Sequence, residues 1–321
     1  MRVYRSPEEA RGGFGPSAVS IGNFDGVHRG HQMLLAEVVR LGAEHGWKSG
    51  VLTFDPHPTK VVAPARAPKL LTTVAQRSRL IERFGIEQAL VLNFDARMAA
   101  LSPEEFVERI LVDSCGARAV VVGDNFRFGY RQAGDVRMLS QLGARYGFSV
   151  TALPAVACRG GVISSSEVRR LITSGDVSHA ARLLGRFYAV EGDVVRGHGI
   201  GSRQTVPTLN LATAAEVLPA HGVYVSRTYD LDQEDRTWPS ITNIGFRPTF
   251  GGESLAIETF LLTPLSGETP ARIRVAVTKR LREERKFASP EALKTQILLD
   301  VKRAQSWHRR IAAWRPDILD S

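Results

Sequence analysis

Residues 22–31 read Gly-Asn-Phe-Asp-Gly-Val-His-Arg-Gly-His. They join an apolar stretch, Ala18-Val19-Ser20-Ile21, to a segment, Gln32–Val39, whose apolar residues recur at helical spacing. A strand that passes into a helix through so short and glycine-rich a run points to an α/β fold with a site at the crossing. His28 and His31 stand three apart at the helix start and share a face. Glycines at 22, 26 and 30 let a ligand come close to the backbone. The free N–H groups of a helix N-terminus favour an anion. Together these features point to phosphate chemistry on a nucleotide. The structural alternative is a tight turn carrying surface histidines. No Gly-Lys-Ser/Thr follows, so the run is not a P-loop, and it is not the dinucleotide fingerprint either.

The rest of the first half repeats the strand-then-helix pattern. Gly50–Phe54, Ala89–Phe94, Ala119–Gly123 and Phe148–Leu153 read as strands, with helices predicted near 32–46, 74–84, 103–115 and 134–146. Such alternation predicts a parallel sheet, in which ligands bind beyond the carboxyl ends of the strands. After Leu184 the pattern changes. Phe187–Val195, Gly222–Tyr229, Ile241–Ile244, Leu255–Leu262 and Ile273–Leu281 read as strands with few helices between them, which predicts an antiparallel sheet or barrel. Ser289-Pro290-Glu291 opens a closing helix over 289–312. The boundary falls near residue 185, giving domains 1–185 and 186–321, as a length of 321 residues allows.

Charge narrows the ligand without naming it. Lys and Arg number 42 against 33 Asp and Glu, a formal charge of +9. That field suits ATP and would equally suit nucleic acid, but no zinc-finger, RRM or helix-turn-helix signature is present, so no nucleic-acid partner is expected. No apolar run approaches the ~20 residues of a membrane span, and Met1–Ser6 lacks the apolar core of a signal peptide. Cys115 and Cys158 have no metal or redox spacing. A cytoplasmic, reduced protein with small-molecule partners is expected.

Three further motifs follow predicted strand ends. In Thr53-Phe54-Asp55-Pro56-His57-Pro58 two prolines stiffen a loop that presents His57. Val122–Gly129 sets Asn125, Phe126 and Phe128 beside glycines, a set suited to a flat ring, or in part to core packing. Ser164, Ser165 and Ser166 cap a helix and can also bond phosphate, with Arg169 one turn on. His28-Arg29-Gly30-His31 resembles the H-x-G-H signature of nucleotidylyltransferases, and the motifs in this order resemble the adenylyltransferase module of bacterial bifunctional riboflavin kinase/FAD synthetases. The resemblance implies a Rossmann-like nucleotidylyltransferase domain that makes FAD and pyrophosphate from FMN and ATP with magnesium. It implies that Gly22, Asn23, Phe24, Asp25, His28, His31, Ser164, Ser165 and Arg169 bind ATP, with the two histidines on its phosphates. It sets His57, Asn125 and Phe128 on the flavin side. Asp25 is open to two readings, a partner for a histidine or a cap on the turn.

In the second half, residues 195–211 place glycines at 197, 199 and 201, a loop able to close over phosphates or a plain glycine-rich hairpin. Thr208 and Asn210, two apart on an extended strand, offer oxygens on one face for Mg²⁺ and ATP. Pro207-Thr208-Leu209-Asn210 resembles the P-T-x-N motif of the kinase module in the same family. The resemblance implies a β-barrel riboflavin kinase with Gly197, Gly199, Gly201, Thr208 and Asn210 at ATP and magnesium. Glu258 would be the base on the riboflavin 5′-hydroxyl, and Arg282 and Glu284 would border the flavin. Departures from the family pattern fall at Ile200, Thr205-Val206, Leu209, Phe260 and Thr263, and bear on nucleotide closure, turnover and flavin orientation. Two alternatives accompany this expectation: a nucleotidylyltransferase with a degenerate kinase barrel, and a non-catalytic flavin- or RNA-binding regulator.

Overall fold

A computed structural model describes residues 1–158, 160–195, 208–233, 235–249, 252–265 and 267–314. The chain divides into two compact units, Met1–Ser165 and Ser166–Ser321.

In the first unit six strands form one sheet: β1 (Arg2–Tyr4), β2 (Ser17–Ile21), β3 (Lys48–Asp55), β4 (Gln88–Asn93), β5 (Ala117–Gly123) and β6 (Ser149–Leu153), in the order β1-β4-β3-β2-β5-β6. Every pairing is parallel. Alternate residues of each strand feed opposite cores. Val19, Ile21, Val120 and Val122 join one apolar cluster with Phe106, Leu111 and Leu139. Ala18, Ala119 and Val121 join another with Leu35, Val38 and Ile81. The sheet is therefore covered on both faces, as a parallel sheet must be. The chain runs outward in one direction from β2 to β3 and in the other to β5, so a crevice opens at their carboxyl ends.

The helix over 32–46 begins earlier, at Arg29, and ends at His45. The segment expected as one helix over 103–115 is α-helical only at Pro103–Phe106, and Val107–Val112 takes the wider π pitch. A two-stranded ribbon, β7 (Ala157–Cys158) with β8 (Gly161–Val162), precedes the helix Ser165–Ser174.

In the second unit, among the described residues, six antiparallel strands close into a barrel: β9 (Tyr188–Val195), β10 (Thr208–Ala212), β11 (Gly222–Asp230), β12 (Thr237–Thr249), β13 (Gly252–Leu261) and β14 (Arg272–Arg282), ordered β10-β13-β12-β11-β14-β9. Part of the interior is hydroxylic. Thr228, Ser240, Ser226, Thr242 and Thr259 are fully buried and linked in that order at 2.9, 2.8, 2.7 and 3.0 Å. Each hydroxyl can donate and accept, so the chain satisfies itself without water. The closing helix, Pro290–Trp314, lays Val301, Ala304 and Trp307 on Val223, Val225 and Ile241 of the barrel's outer face. The Trp307 indole N–H donates to Thr278 Oγ1 at 2.9 Å.

Candidate active sites

The turn after β2 is held in a conformation its residues resist. Phe24 and Val27 have φ of 49° and 40°, a region disfavoured for side chains and most of all for a β-branched one. Each such residue costs about 1–3 kcal/mol and persists only where its surroundings impose it. Phe24 and Val27 are fully buried. The Asp25 carboxylate, 1% exposed, accepts from the backbone N–H groups of Leu71 and Thr72 at 3.0 and 3.1 Å, and from Thr72 Oγ1 at 3.1 Å. These bonds tie the turn to the Leu71-Thr72 segment. Ser165 Oγ donates to the Asp25 carbonyl at 2.9 Å, tying the serine motif to the same turn.

The strained turn delivers His28 as N-cap of the helix Arg29–His45. The ring of His28 is buried, and its Nδ1 accepts from the His31 N–H at 3.4 Å. The two imidazoles stack, centroids 3.7 Å apart and 15° from parallel, with Phe24 edge-on to His31 at 5.3 Å. Two imidazoles at a helix N-terminus offer N–H donors beside the positive end of the helix dipole, the arrangement that receives phosphate oxygens.

Sequence reasoning missed Arg77, on the helix Val74–Glu82. It is 2% exposed and donates to the carbonyls of Asn23 and, at 3.4 Å, Phe54. Burial pulls its guanidinium below the usual arginine range, with the Asp25 and Asp55 carboxylates opposing that shift. One fork thus fixes the exits of β2 and β3 together. An arginine in an otherwise amphipathic helix gives little signal that it points inward.

Beyond those exits lies a cavity of about 800 Å³. Gly22, Asn23, Asn125 and Phe128 of the expected residues line it, with Phe54 and Phe126 as apolar walls. Phe128 is both wall and core: 6% exposed, it stacks on Phe126 at 5.6 Å and packs on Phe106 at 5.9 Å. Asn125 is exposed. His57 caps the short helix Pro58–Val62, its Nδ1 accepting from Thr59 N–H at 3.3 Å, and the next residues, Pro58 and Thr59, reach the cavity. Ser164 is half-buried. Arg169, also half-buried, stands on the helix Ser165–Ser174, within the second unit.

In the barrel, register assembles the second site. Asn210 on β10 lies directly opposite Glu258 on β13, and Glu258 lies opposite Asn243 on β12. The row continues through Val223 on β11 to Arg282 on β14. Residues directly opposite in antiparallel strands point to the same face, so five strands contribute one rung of side chains. The next rung sets Thr208 beside Phe260 and Ile241. These rungs border a cavity of about 860 Å³ lined by Thr208, Asn243, Glu258, Phe260, Arg282 and Glu284 among others. Arg282 donates to Asp300 Oδ2 of the closing helix at 2.9 Å, and its guanidinium lies 5.5 Å from the Phe287 ring centre. Asn243 Nδ2 donates to Glu284 Oε1 at 3.3 Å.

The comparisons with known proteins divide the chain along the same lines. The FAD synthetase family profile matches residues 14–167 and the riboflavin kinase profile residues 184–308. The bifunctional riboflavin kinase/FMN adenylyltransferase of Pseudomonas fluorescens is 37% identical over 307 residues, spanning 95% of this chain and 97% of that protein. The chain belongs to the bifunctional riboflavin kinase/FMN adenylyltransferase family. The protein of that name from Escherichia coli is 36% identical over 283 residues, 88% of this chain and 90% of its own length. A solved structure from Streptococcus pneumoniae, described as a macrolide-efflux protein, matches with a TM-score of 0.83 at 26% identity over 96% of this chain and 100% of that one. Among the described residues no helix is long and apolar enough to cross a membrane.

Of the departures from the family's kinase pattern, Leu209 is buried on β10. Phe260 faces Thr208 on the cavity wall, and Thr263 is exposed just past β13. Gly197, Gly199, Gly201, Ile200, Thr205 and Val206 lie outside the described residues. Among the described residues no group of three or more His, Cys, Asp or Glu is placed to hold a metal. The oxygens at hand for a hard cation are those of Thr208 and Asn210, with Glu258 one strand over.

Proposed function

We propose that the two activities of the family are divided between an adenylyltransferase domain, residues 1–185, and a kinase domain, residues 186–321. The observation that carries the kinase half is the pairing of Asn210 with Glu258 beside the 860 Å³ cavity. A carboxylate opposite an amide oxygen, with the Thr208 hydroxyl on the next rung, supplies a base and neutral oxygen ligands together. Glu258 takes the proton of the riboflavin 5′-hydroxyl as that oxygen bonds to the γ-phosphorus of ATP. The bond from that phosphorus to the bridging oxygen breaks, and ADP leaves with the electron pair. The donor set suits Mg²⁺, which is held largely through substrate phosphates and a few protein oxygens. When bound there, the ion would neutralise phosphate charge. Arg282 and Glu284 border the flavin.

In the first domain, an FMN phosphate oxygen attacks the α-phosphorus of ATP and pyrophosphate departs. His28 and His31 meet the ATP phosphates, with Gly22, Asn23, Ser164 and Ser165 holding the nucleotide and Asp25 tying the turn to Leu71 and Thr72. His57, Asn125 and Phe128 receive the flavin. No covalent intermediate is needed, so catalysis rests on alignment and on donors aimed at developing charge. Dependence on ATP and small flavins fits a cytoplasmic enzyme with neither nucleic-acid nor membrane partners.

The test is to incubate the protein with riboflavin, ATP and Mg²⁺ and separate the flavins. FMN and FAD should both accumulate. Glu258→Gln should lower FMN formation by about 10²–10⁴-fold, the usual worth of a general base, and spare conversion of FMN to FAD. His31→Ala should do the reverse. FAD formed only from supplied FMN would identify a degenerate kinase barrel, and unchanged flavins would overturn both halves.

A further inference from the structure

β14 and the closing helix also form a recess of about 370 Å³ that shares no lining residue with the kinase cavity. Its shape begins in the strand. The pairing of β14 with β11 slips twice, leaving Thr278 and Leu281 without a partner on β11. Such bulges break the alternation of side chains and re-aim them, so the consecutive residues Lys279, Arg280 and Leu281 all line the recess. Arg303, Arg310 and Trp307 complete it from the helix, and Ser306 adds a hydroxyl. No carboxylate lines it. Among the described residues Lys279, Arg303 and Arg310 form no ion pair. Arg280 lies 3.8 Å from Glu283, but that side chain is 84% exposed, and such a pair is worth little. Trp307 is the fixed point, its indole N–H bonded to Thr278. Lys279 Nζ and the Arg310 guanidinium lie 4.7 and 5.8 Å from its ring centre. These contacts hold the two charges in place and leave their N–H groups available to an anion. A concave surface of one sign focuses its field on an ion of the other.

We propose that this recess binds a diphosphate group, free or as the tail of a nucleoside diphosphate. Four cations exceed what one phosphate needs. Arg303 and Arg310 stand two helical turns apart, about 10 Å along the axis, an interval that two linked phosphates span better than one. Guanidinium forks match phosphate oxygens in pairs. The family's two reactions release both forms of the ligand, ADP from phosphoryl transfer and pyrophosphate from adenylylation. A bound diphosphate would bridge β14 and the closing helix, the two elements that Arg282 and Asp300 already join beside the kinase cavity.

Equilibrium dialysis of the full chain against radiolabelled pyrophosphate, without Mg²⁺, decides the matter. A double variant, Arg303→Gln with Arg310→Gln, should bind one equivalent per chain fewer than the parent, whatever the adenylyltransferase site retains. Both side chains are exposed, so the unfolding midpoint and both flavin activities should be unchanged. ADP should displace the lost equivalent, while AMP and sulfate should need at least tenfold higher concentration. Displacement by unlabelled pyrophosphate but not by ADP would assign the site to the free ion. Trp307→Phe should remove the quenching of tryptophan fluorescence that accompanies binding. Equal stoichiometry in parent and double variant overturns the site, and so does displacement by sulfate over the same range, which marks surface charge alone. An RNA oligonucleotide that displaces pyrophosphate at lower concentration would assign the patch to nucleic acid and overturn it as well. Failure of either active-site assignment would leave the count of equivalents at this recess unchanged.

Discussion

Ser165 donates its hydroxyl to the backbone carbonyl of Asp25 at 2.9 Å, joining residues 140 apart in the sequence. The Asp25 carboxylate meanwhile gathers Leu71 and Thr72. Three chain segments therefore meet on the residue three before His28, and the strain at Phe24 and Val27 is borne by that junction.

Removing the carboxylate should release it. Asp25→Ala leaves buried donors at Leu71 and Thr72 without their acceptor, and each unpaired buried group costs about 1–3 kcal/mol. A clear drop in the unfolding midpoint is expected, with at least tenfold loss of FMN-to-FAD conversion. Riboflavin phosphorylation by the same preparation should persist. Equal loss of both activities would deny Asp25 a local role.

Arg77→Lys should behave as a severe change although charge is kept. A lysine is a point donor and cannot reproduce the fork that reaches the Asn23 and Phe54 carbonyls together. The expected result is a fall of at least tenfold in kcat/KM for adenylylation, about 1.4 kcal/mol of transition-state stabilisation. Steady-state assays at saturating FMN with ATP varied would measure it.

Two neighbours on the first cavity should separate cleanly. Asn125→Ala trims an exposed side chain, so the KM for FMN should rise several-fold with the unfolding midpoint unchanged. Phe128→Ala opens the core around Phe106 and Phe126 and should cost about 3–5 kcal/mol of stability. Calorimetry on the two variants distinguishes a ligand contact from a packing residue.

His308 gives a pH signature to the barrel. Burial lowers its pKa, with the nearby Arg227 charge adding to the shift and backbone hydrogen bonds at Ser240 and Ser226 opposing it. The unfolded chain therefore binds the proton more readily than the folded one, and stability falls as pH drops below the ordinary histidine value of about 6.5. His308→Gln should flatten that slope. Denaturant titrations at pH 8 and pH 5.5 would show it as a smaller loss in the variant.

Much of the architecture was legible in the sequence. The parallel strands were read to within about two residues because the central ones are apolar on both faces, so that β5 and β4 appear as nearly unbroken runs. β12 was expected only at Ile241–Ile244 and spans Thr237–Thr249. Its inward positions include Ser240 and Thr242, members of the hydroxyl chain, so the usual polar-outside alternation was inverted there. β1 went unread because three residues of an edge strand carry too little pattern. In the sites, motifs that follow strand ends could be read locally. Arg77 could not, since its importance comes from a partner far along the chain, the Asn23 carbonyl.

The rung through Asn210, Glu258 and Asn243 makes the kinase site a matter of parity. Thr259, the next residue on β13, faces inward and bonds Thr242 at 3.0 Å. Adding or deleting one residue within β13 would exchange the two, driving a carboxylate into the barrel and a threonine onto the cavity. Connections between strands can change length with no such penalty. Within β10, β12 and β13, by contrast, only even-numbered changes keep every member of the rung on its side. A redesign that transplants this site must therefore count residues before it chooses them.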